Sequence, residues 1–207
     1  EIAQCLVGSE MCIRDRYNHP LWSKVATEEY IHLKNVWAIE IYNHSTVLDS
    51  GLGVDTRDWD SILATGRQIY GVASDDNHNT KPIPDSCGGW VVVNAKELTT
   101  ECITENLANG NFYASSGPEI YDWGIKDGIA YVRCSEAERI NFICGGAVNA
   151  GFTVLKGQMG WKTEQERWEH RGYMTYAEYP LNGQETYIRV ECVDKNGKTA
   201  WTNALFL

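Results

Sequence analysis

Apolar positions along the chain follow two regimes. Across residues 17–94, short continuous apolar runs alternate with stretches whose apolar residues recur every three or four positions. Residues 36–42 form one such run, interrupted only by Glu40, and residues 69–73 and 90–93 form two more. Thr27-Glu28-Glu29 supplies a cap and an acidic first turn for a helix running to Asn35. Asp58-Trp59-Asp60 opens a second helix, with Ile62, Leu63 and Ile69 as its apolar side and a stop near Gly66. Continuous apolar strands separated by helices predict a parallel sheet covered on both faces. Another helix is expected from Leu98-Thr99-Thr100-Glu101, with Ile103 and Leu107 inward and Gly110 as its stop.

Beyond the junction Phe112-Tyr113-Ala114-Ser115-Ser116-Gly117-Pro118 the period changes to two. Ala130, Val132 and Cys134 alternate with Tyr131 and Arg133; Ile188, Val190 and Cys192 alternate with Arg189 and Glu191. Asp127-Gly128 and Asn196-Gly197 are hairpin turn signals. Residues 118–207 are therefore expected to form a small antiparallel β-sandwich, with the polar stretch 156–172 as an excursion from it.

Candidate chemistry collects where the run 69–73 opens into Ser74-Asp75-Asp76-Asn77-His78-Asn79. Asp76 and His78, two apart, can turn toward one point where a strand frays into a loop. Carboxylate oxygen and imidazole nitrogen together suit hard or borderline divalent cations. Aspartate and asparagine are also common turn residues, so this motif alone reads equally well as a turn. A second histidine shifts the balance: His19, in Asn18-His19-Pro20, also falls where a strand should end. In parallel α/β folds the chemistry gathers at the carboxyl ends of strands, and Glu40, Asn43, Asp76 and His78 all fall at such ends. Asp75 is expected to orient a ligand or cap the loop. Glu40 is costly to bury unpaired, so it is expected to face the mouth of the sheet or a cation. His32 reads as a surface residue, His44 as a loop histidine and His170 as solvated. No serine or cysteine nucleophile has a base partner, and a metal-activated water would remove the need for one.

Bulk composition narrows the classes. The 207 residues suffice for one or two domains with a sizeable core, and 43% hydrophobic with 22% charged residues marks a globular chain. A net charge of -10 argues against a nucleic-acid grip. It leaves an acidic substrate open, because bound cations would supply local positive charge. No apolar run approaches the ~20 residues of a membrane span. Eight Trp and eleven Tyr suit either a carbohydrate-binding surface or a β-rich core.

Leu6-Val7-Gly8-Ser9-Glu10-Met11-Cys12-Ile13-Arg14-Asp15 has no periodicity that fits a helix or strand. It resembles the translation of the transposon-end adapter used in shotgun sequencing libraries. Residues 1–16 are accordingly expected to be an assembly remnant, with protein sequence missing upstream. Setting aside Cys5 and Cys12 leaves five of the seven cysteines, with no zinc-ribbon or redox-pair spacing. Cys134 and Cys192, on apolar strand faces, are expected to be buried thiols, and the odd number fits a reducing, cytoplasmic compartment.

With these residues in view, the chain from about residue 17 to 207 resembles the C-terminal part of a PHP-domain (polymerase and histidinol phosphatase) metal-dependent hydrolase, in the branch carrying a C-terminal β-sandwich. The marks are Asn18-His19-Pro20 with Trp22, Ile39-Glu40-Ile41-Tyr42-Asn43, Trp59-Asp60 with Leu63 and Gly66, and Ser74-Asp75-Asp76-Asn77-His78. The junction at 112–118 and Ala200-Trp201-Thr202-Asn203 complete the set, and Ala204 stands where a proline is usual. The resemblance implies an α/β fold: an incomplete, distorted TIM-like β/α barrel over residues 17–117, then the sandwich at 118–207. It implies that His19, Asp76 and His78 ligate divalent metal (zinc, manganese or iron), with two or three ions in the intact enzyme. Glu40 and Asp75 would support them. The implied reaction is hydrolysis of a small-molecule ester, phosphoesters foremost.

The family's opening His-x-His pair, its acidic partner and a bridging glutamate are not found, so half an active site is in view and this chain alone is expected to be inactive. The competing reading is a non-catalytic carbohydrate- or ligand-binding sandwich beside a decayed barrel. A decayed barrel should not keep His19, Asp76 and His78 together, which favours the hydrolase.

Overall fold

The computed structural model describes residues 15–79, 82–146, 151–155 and 173–207. The adapter-like residues 1–14 and the excursion at 156–172, with His170, lie outside them. Three short strands, β1 (Asp15–Tyr17), β2 (Val36–Asn43) and β3 (Tyr70–Ser74), pair in parallel in the order β1-β2-β3. Asp15 and Arg16, which the sequence assigns to the adapter-like segment, stand in β1. Helices α1 (Pro20–Ser23) and α2 (Thr27–Tyr30) lie between the first two strands, and α3 (His44–Ser50) and α4 (Thr56–Leu63) between the next two.

Strand β2 is apolar because both its faces are covered. On one side α4 lays Trp59, Ile62 and Leu63 against Ile39 and Ile41. On the other, Ala38 and Val72 meet Phe112. Each such buried large side chain contributes roughly 1.5–3 kcal/mol. Helix α4 begins where Asp55 accepts the Asp58 N–H at 3.1 Å, and the Trp59 indole donates to the Ile69 carbonyl at 2.9 Å.

The sheet stops at three strands, and no barrel closes among the described residues. Strand β4 (Trp90–Val93), which reads in sequence as the next parallel strand, instead pairs antiparallel with β5 (Phe112–Ser115). A parallel return needs a crossover of a dozen or more residues, usually helical. Between Ser74 and Trp90 the described residues form no helix, and they wrap the strand ends instead. The expected α/β TIM-like barrel is therefore corrected: the molecule is mostly β, built from three sheets.

After β4 comes α5 (Thr100–Ala108), capped by Thr99, and β5 follows it. The remaining strands are β6 (Ile120–Lys126), β7 (Ile129–Ala137), β8 (Arg139–Gly146), β9 (Gly151–Leu155), β10 (Met174–Pro180), β11 (Glu185–Val193), β12 (Thr199–Thr202) and β13 (Leu205–Phe206). The larger antiparallel sheet runs β4-β5-β12-β11-β8-β9, with β13 beside β11; it joins strands from either side of residue 118. The three-stranded sheet β10-β7-β6 shares a core with it through Val132, Cys134, Phe142, Ile188 and Cys192. Asp127 and Gly128 connect β6 to β7 with φ of 52° and 77°, the left-handed pair a tight two-residue hairpin turn requires.

Polar ties fasten this region to the parallel sheet and to helix α4 on its face. Arg189, 1% exposed, sets Nε 2.8 Å and Nη2 2.6 Å from the two oxygens of Asp60, and Nη1 2.7 Å from Glu191. Its guanidinium lies over the Trp59 ring, 4.7 Å from the centroid. Burial opposes its charge, but Asp60 and Glu191 outweigh that and hold its pKa above the ordinary value. Asn203 is the second tie. Its oxygen accepts the Gly71 N–H at 3.0 Å, while its amide donates to the carbonyls of Gly110 and Phe112 at 3.1 and 2.9 Å. Among the described residues no helix is long and apolar enough to cross a membrane.

Candidate metal centre

The three parallel strands end side by side, and the segments leaving them build the site. His19 follows β1 with φ 34° and ψ 58°, a left-handed conformation that turns the chain into Pro20 and α1. It stands at the cap position of α1 yet makes no side-chain capping bond. Its Nδ1 lies 3.0 Å from Ser23 Oγ, and its ring meets Trp22 edge-on at 5.0 Å. Asp76 follows β3 and is also left-handed, with φ 51°. One of its oxygens accepts the Asn43 amide at 3.0 Å, and the other lies 3.9 Å from His78 Nε2. His19, Asp76 and His78 line a single cavity of about 350 Å³, together with Trp22, Asp49 and Asp85.

Glu40, 2% exposed near the end of β2, holds the arrangement. One oxygen accepts both the His19 backbone N–H at 2.8 Å and the Asn43 amide at 3.0 Å. The other accepts the Ser74 hydroxyl and faces the Arg16 guanidinium at 3.5 Å. A buried carboxylate is tolerable only when so paired. It reaches the mouth of the sheet through protein donors, and Asn43 passes its hold on to Asp76. Asn43 also caps α3, accepting the Thr46 N–H at 2.9 Å.

Asp75 turns away from this cluster. Its oxygens accept the N–H groups of Cys87, Gly88 and Gly89 at 2.7, 2.7 and 2.8 Å. Burial works against its charge, but these donors and nearby His44 prevail and hold its pKa below the usual carboxylate value. It fastens the loop that returns to β4. Gly88 is obligatory there, because a Cβ would sit 2.1 Å from the His44 ring. His44 itself opens α3 rather than lying in a loop, with Nδ1 3.1 Å from the Tyr42 hydroxyl. His32 is exposed, in a turn just past the single turn of α2.

Asp85 escapes the sequence reading. It is 3% exposed, its carboxylate accepts the His78 backbone N–H at 2.9 Å, and it stands on the cavity wall. The only signal was its place after Pro82-Ile83-Pro84, a rigid approach that fixes where the next side chain falls. Asp49 was missed with its helix, although Asn43 three residues before Thr46 is a recognisable cap.

The nearest donors for a cation are Asp76 and His78, with His19 on the same cavity. Each has an outer partner: Asn43 for Asp76, Ser23 for His19, and Asp85 for the His78 backbone. Nitrogen and oxygen donors with such support fit a divalent ion chemically. Among the described residues, no group of three or more His, Cys, Asp or Glu side chains is arranged to hold one. No family model matches the chain, and neither a curated protein nor a solved structure matches it.

Proposed function

We propose that this chain carries metal-binding residues of a hydrolase acting on small-molecule esters, with phosphoesters the leading class. One observation carries the reading. His19 and Asp76 follow different strands, yet both are held in left-handed backbone on the wall of one cavity. Such conformations cost of order 1–3 kcal/mol each and persist where surrounding contacts over-determine them, which happens disproportionately at functional sites. Here the contacts are the Glu40 carboxylate on the His19 backbone and the Asn43 amide on Asp76.

In this proposal His19, Asp76 and His78 bind a divalent cation, zinc, manganese or iron. A cation bound there lowers the pKa of its water toward neutrality and places positive charge beside a developing oxyanion. It would also offset the net charge of -10, which otherwise repels a phosphoester. Asn43 aims the Asp76 carboxylate, Ser23 aims the His19 ring, and Asp85 fixes the backbone that carries His78.

The test is calorimetric titration with zinc or manganese of the wild-type chain and of Asp76→Asn, His78→Ala and Asn43→Ala. Loss of either ligand should abolish measurable uptake, and Asn43→Ala should weaken it about 10–100-fold. Uptake unchanged in both ligand variants sinks the assignment. The chain alone is expected to leave an aryl phosphate intact; turnover that survives His78→Ala would place the chemistry elsewhere.

A further inference from the structure

We propose a second site, for a neutral sugar, at the opposite end of the parallel sheet. A cavity of about 510 Å³ opens beside Tyr70, the first residue of β3, whereas the candidate metal centre lies beyond the last. One wall is the turn that ends α5. Gly110 takes φ 74° there, and a Cβ on it would meet the Tyr70 ring at 2.2 Å. Only glycine lets this turn rest on the ring, and it thereby fixes Asn109 and Asn111 on either side. The Asn94 N–H donates to the Asn111 carbonyl at 2.8 Å, which sets a third amide side chain beside the other two. Among the described residues, no protein partner takes up the side-chain amides of Asn94 and Asn109.

The facing wall is β6, with Tyr121, Asp122 and Trp123. Tyr121 is 60% exposed, a large share for an aromatic ring on a strand. Its hydroxyl donates to Glu119 at 2.8 Å, which holds the ring in place. Trp123 is half-buried and steadied edge-on against Tyr113 at 6.2 Å.

The chemistry of the lining selects the ligand. Lys, Arg and His are absent from it, and its one charged group is the Asp122 carboxylate. A phosphate or carboxylate ligand would therefore meet repulsion and no cation. What remains is flat apolar ring beside the planar amides of Asn94 and Asn109, each offering a donor and an acceptor in one plane, whereas the amides of Asn111 and Asn203 on the same wall are already engaged by protein. A pyranose presents the complement: a C–H face that packs on an aromatic ring, and a rim of hydroxyls that both donate and accept. The volume lies within the range of small-ligand pockets and accommodates one or two sugar rings.

The experiment is calorimetric titration of the 207-residue chain with cellotetraose, xylotetraose, mannotetraose and maltotetraose, and with tetragalacturonate as an anionic control. A chelator is present throughout, so that failure here and failure of the metal site are separate results. At least one neutral tetrasaccharide should bind with Kd below about 1 mM. Tyr121→Ala and Asn109→Ala, both at exposed positions, should each weaken it by about tenfold or more with an unchanged melting temperature. Tetragalacturonate should bind at least about tenfold worse than the best neutral sugar. The proposal is overturned if no neutral tetrasaccharide binds at about 10 mM, if both variants bind as the wild type does, or if tetragalacturonate is preferred.

Discussion

Replacing Asn203 with alanine would remove three hydrogen bonds at once from a place that water scarcely reaches. The residue is 5% exposed, and its partners are the Gly71 N–H and the carbonyls of Gly110 and Phe112. An intramolecular hydrogen bond contributes about 1 kcal/mol net, but a buried group left without a partner costs about 1–3 kcal/mol. Gly71 and Phe112 are buried, so their orphaned groups bear that full cost, while the half-buried Gly110 carbonyl can rehydrate from the adjoining cleft. The expected loss is about 3–5 kcal/mol, a large part of the roughly 5–15 kcal/mol that holds a typical domain. Asn203→Asp sharpens the test. It keeps the shape and the acceptor for Gly71, but turns an oxygen toward two carbonyl oxygens. At pH 7 it should be at least as damaging as alanine, and milder at low pH, where a protonated carboxyl can donate again. Urea unfolding followed by tryptophan fluorescence gives both numbers. A loss under about 1 kcal/mol for alanine, or an aspartate variant milder than alanine at pH 7, would refute the geometry described for this residue.

Two further outcomes are expected. Arg189→Met leaves Asp60 and Glu191 without their shared guanidinium and should cost about 3–5 kcal/mol; combined with Asp60→Leu, which also takes the acceptor from the Tyr187 hydroxyl, the loss should be less than the sum of the two single losses, and strictly additive losses would contradict the pairing. The second concerns acid. Against opposing burial, Asp75 is depressed by its three loop N–H donors, and Glu185 by its own N–H, the N–H of Asn182, the Tyr179 hydroxyl and the N–H of Gly183. A carboxyl whose folded pKa lies below its unfolded value stabilises the fold above that unfolded value, here 3.8 and 4.5, and the gain disappears as pH falls through the folded pKa. Scanning calorimetry should show a melting temperature nearly flat from about pH 7 to 5 and falling below about pH 4, with a shallower acid limb in Asp75→Asn; an identical limb would remove Asp75 from the account.

The strand faces were legible because burial imposes a local period. Ala130, Val132 and Cys134 are all buried, as are Ile188, Val190 and Cys192, and the Asp127-Gly128 turn falls where its backbone preference places it; Arg189, on the alternate face, is buried too, because Asp60 and Trp59 cover that face. Partner choice was not legible. The run at 90–93 indicates an extended apolar segment but not its neighbour, and the missing crossover after Ser74 decided that against a barrel. Helix α2 stops after one turn because only Tyr30 is buried, so packing supports it no further. At the site, residues at strand ends could be found from sequence because the strands could. Asp85 could not, since it reaches His78 across an aperiodic loop. Nor could the ties of Asn203 and Arg189, which bridge more than a hundred residues.

Glu40 constrains how this protein can diverge. Its carboxylate serves the His19 backbone, the Asn43 amide and the Ser74 hydroxyl, contributed by three separate segments. Change Glu40 alone to an apolar residue, and three donors lose their acceptor in a buried setting. Change Asn43 or Ser74 alone, and a buried charge loses support while Glu40 remains. Each first step is unfavourable even where the combined replacement would pack well, so these positions are epistatic. Drift among relatives of this chain should proceed by joint replacement at 40, 43 and 74, and the strand ends should stay put while the sheets behind them vary.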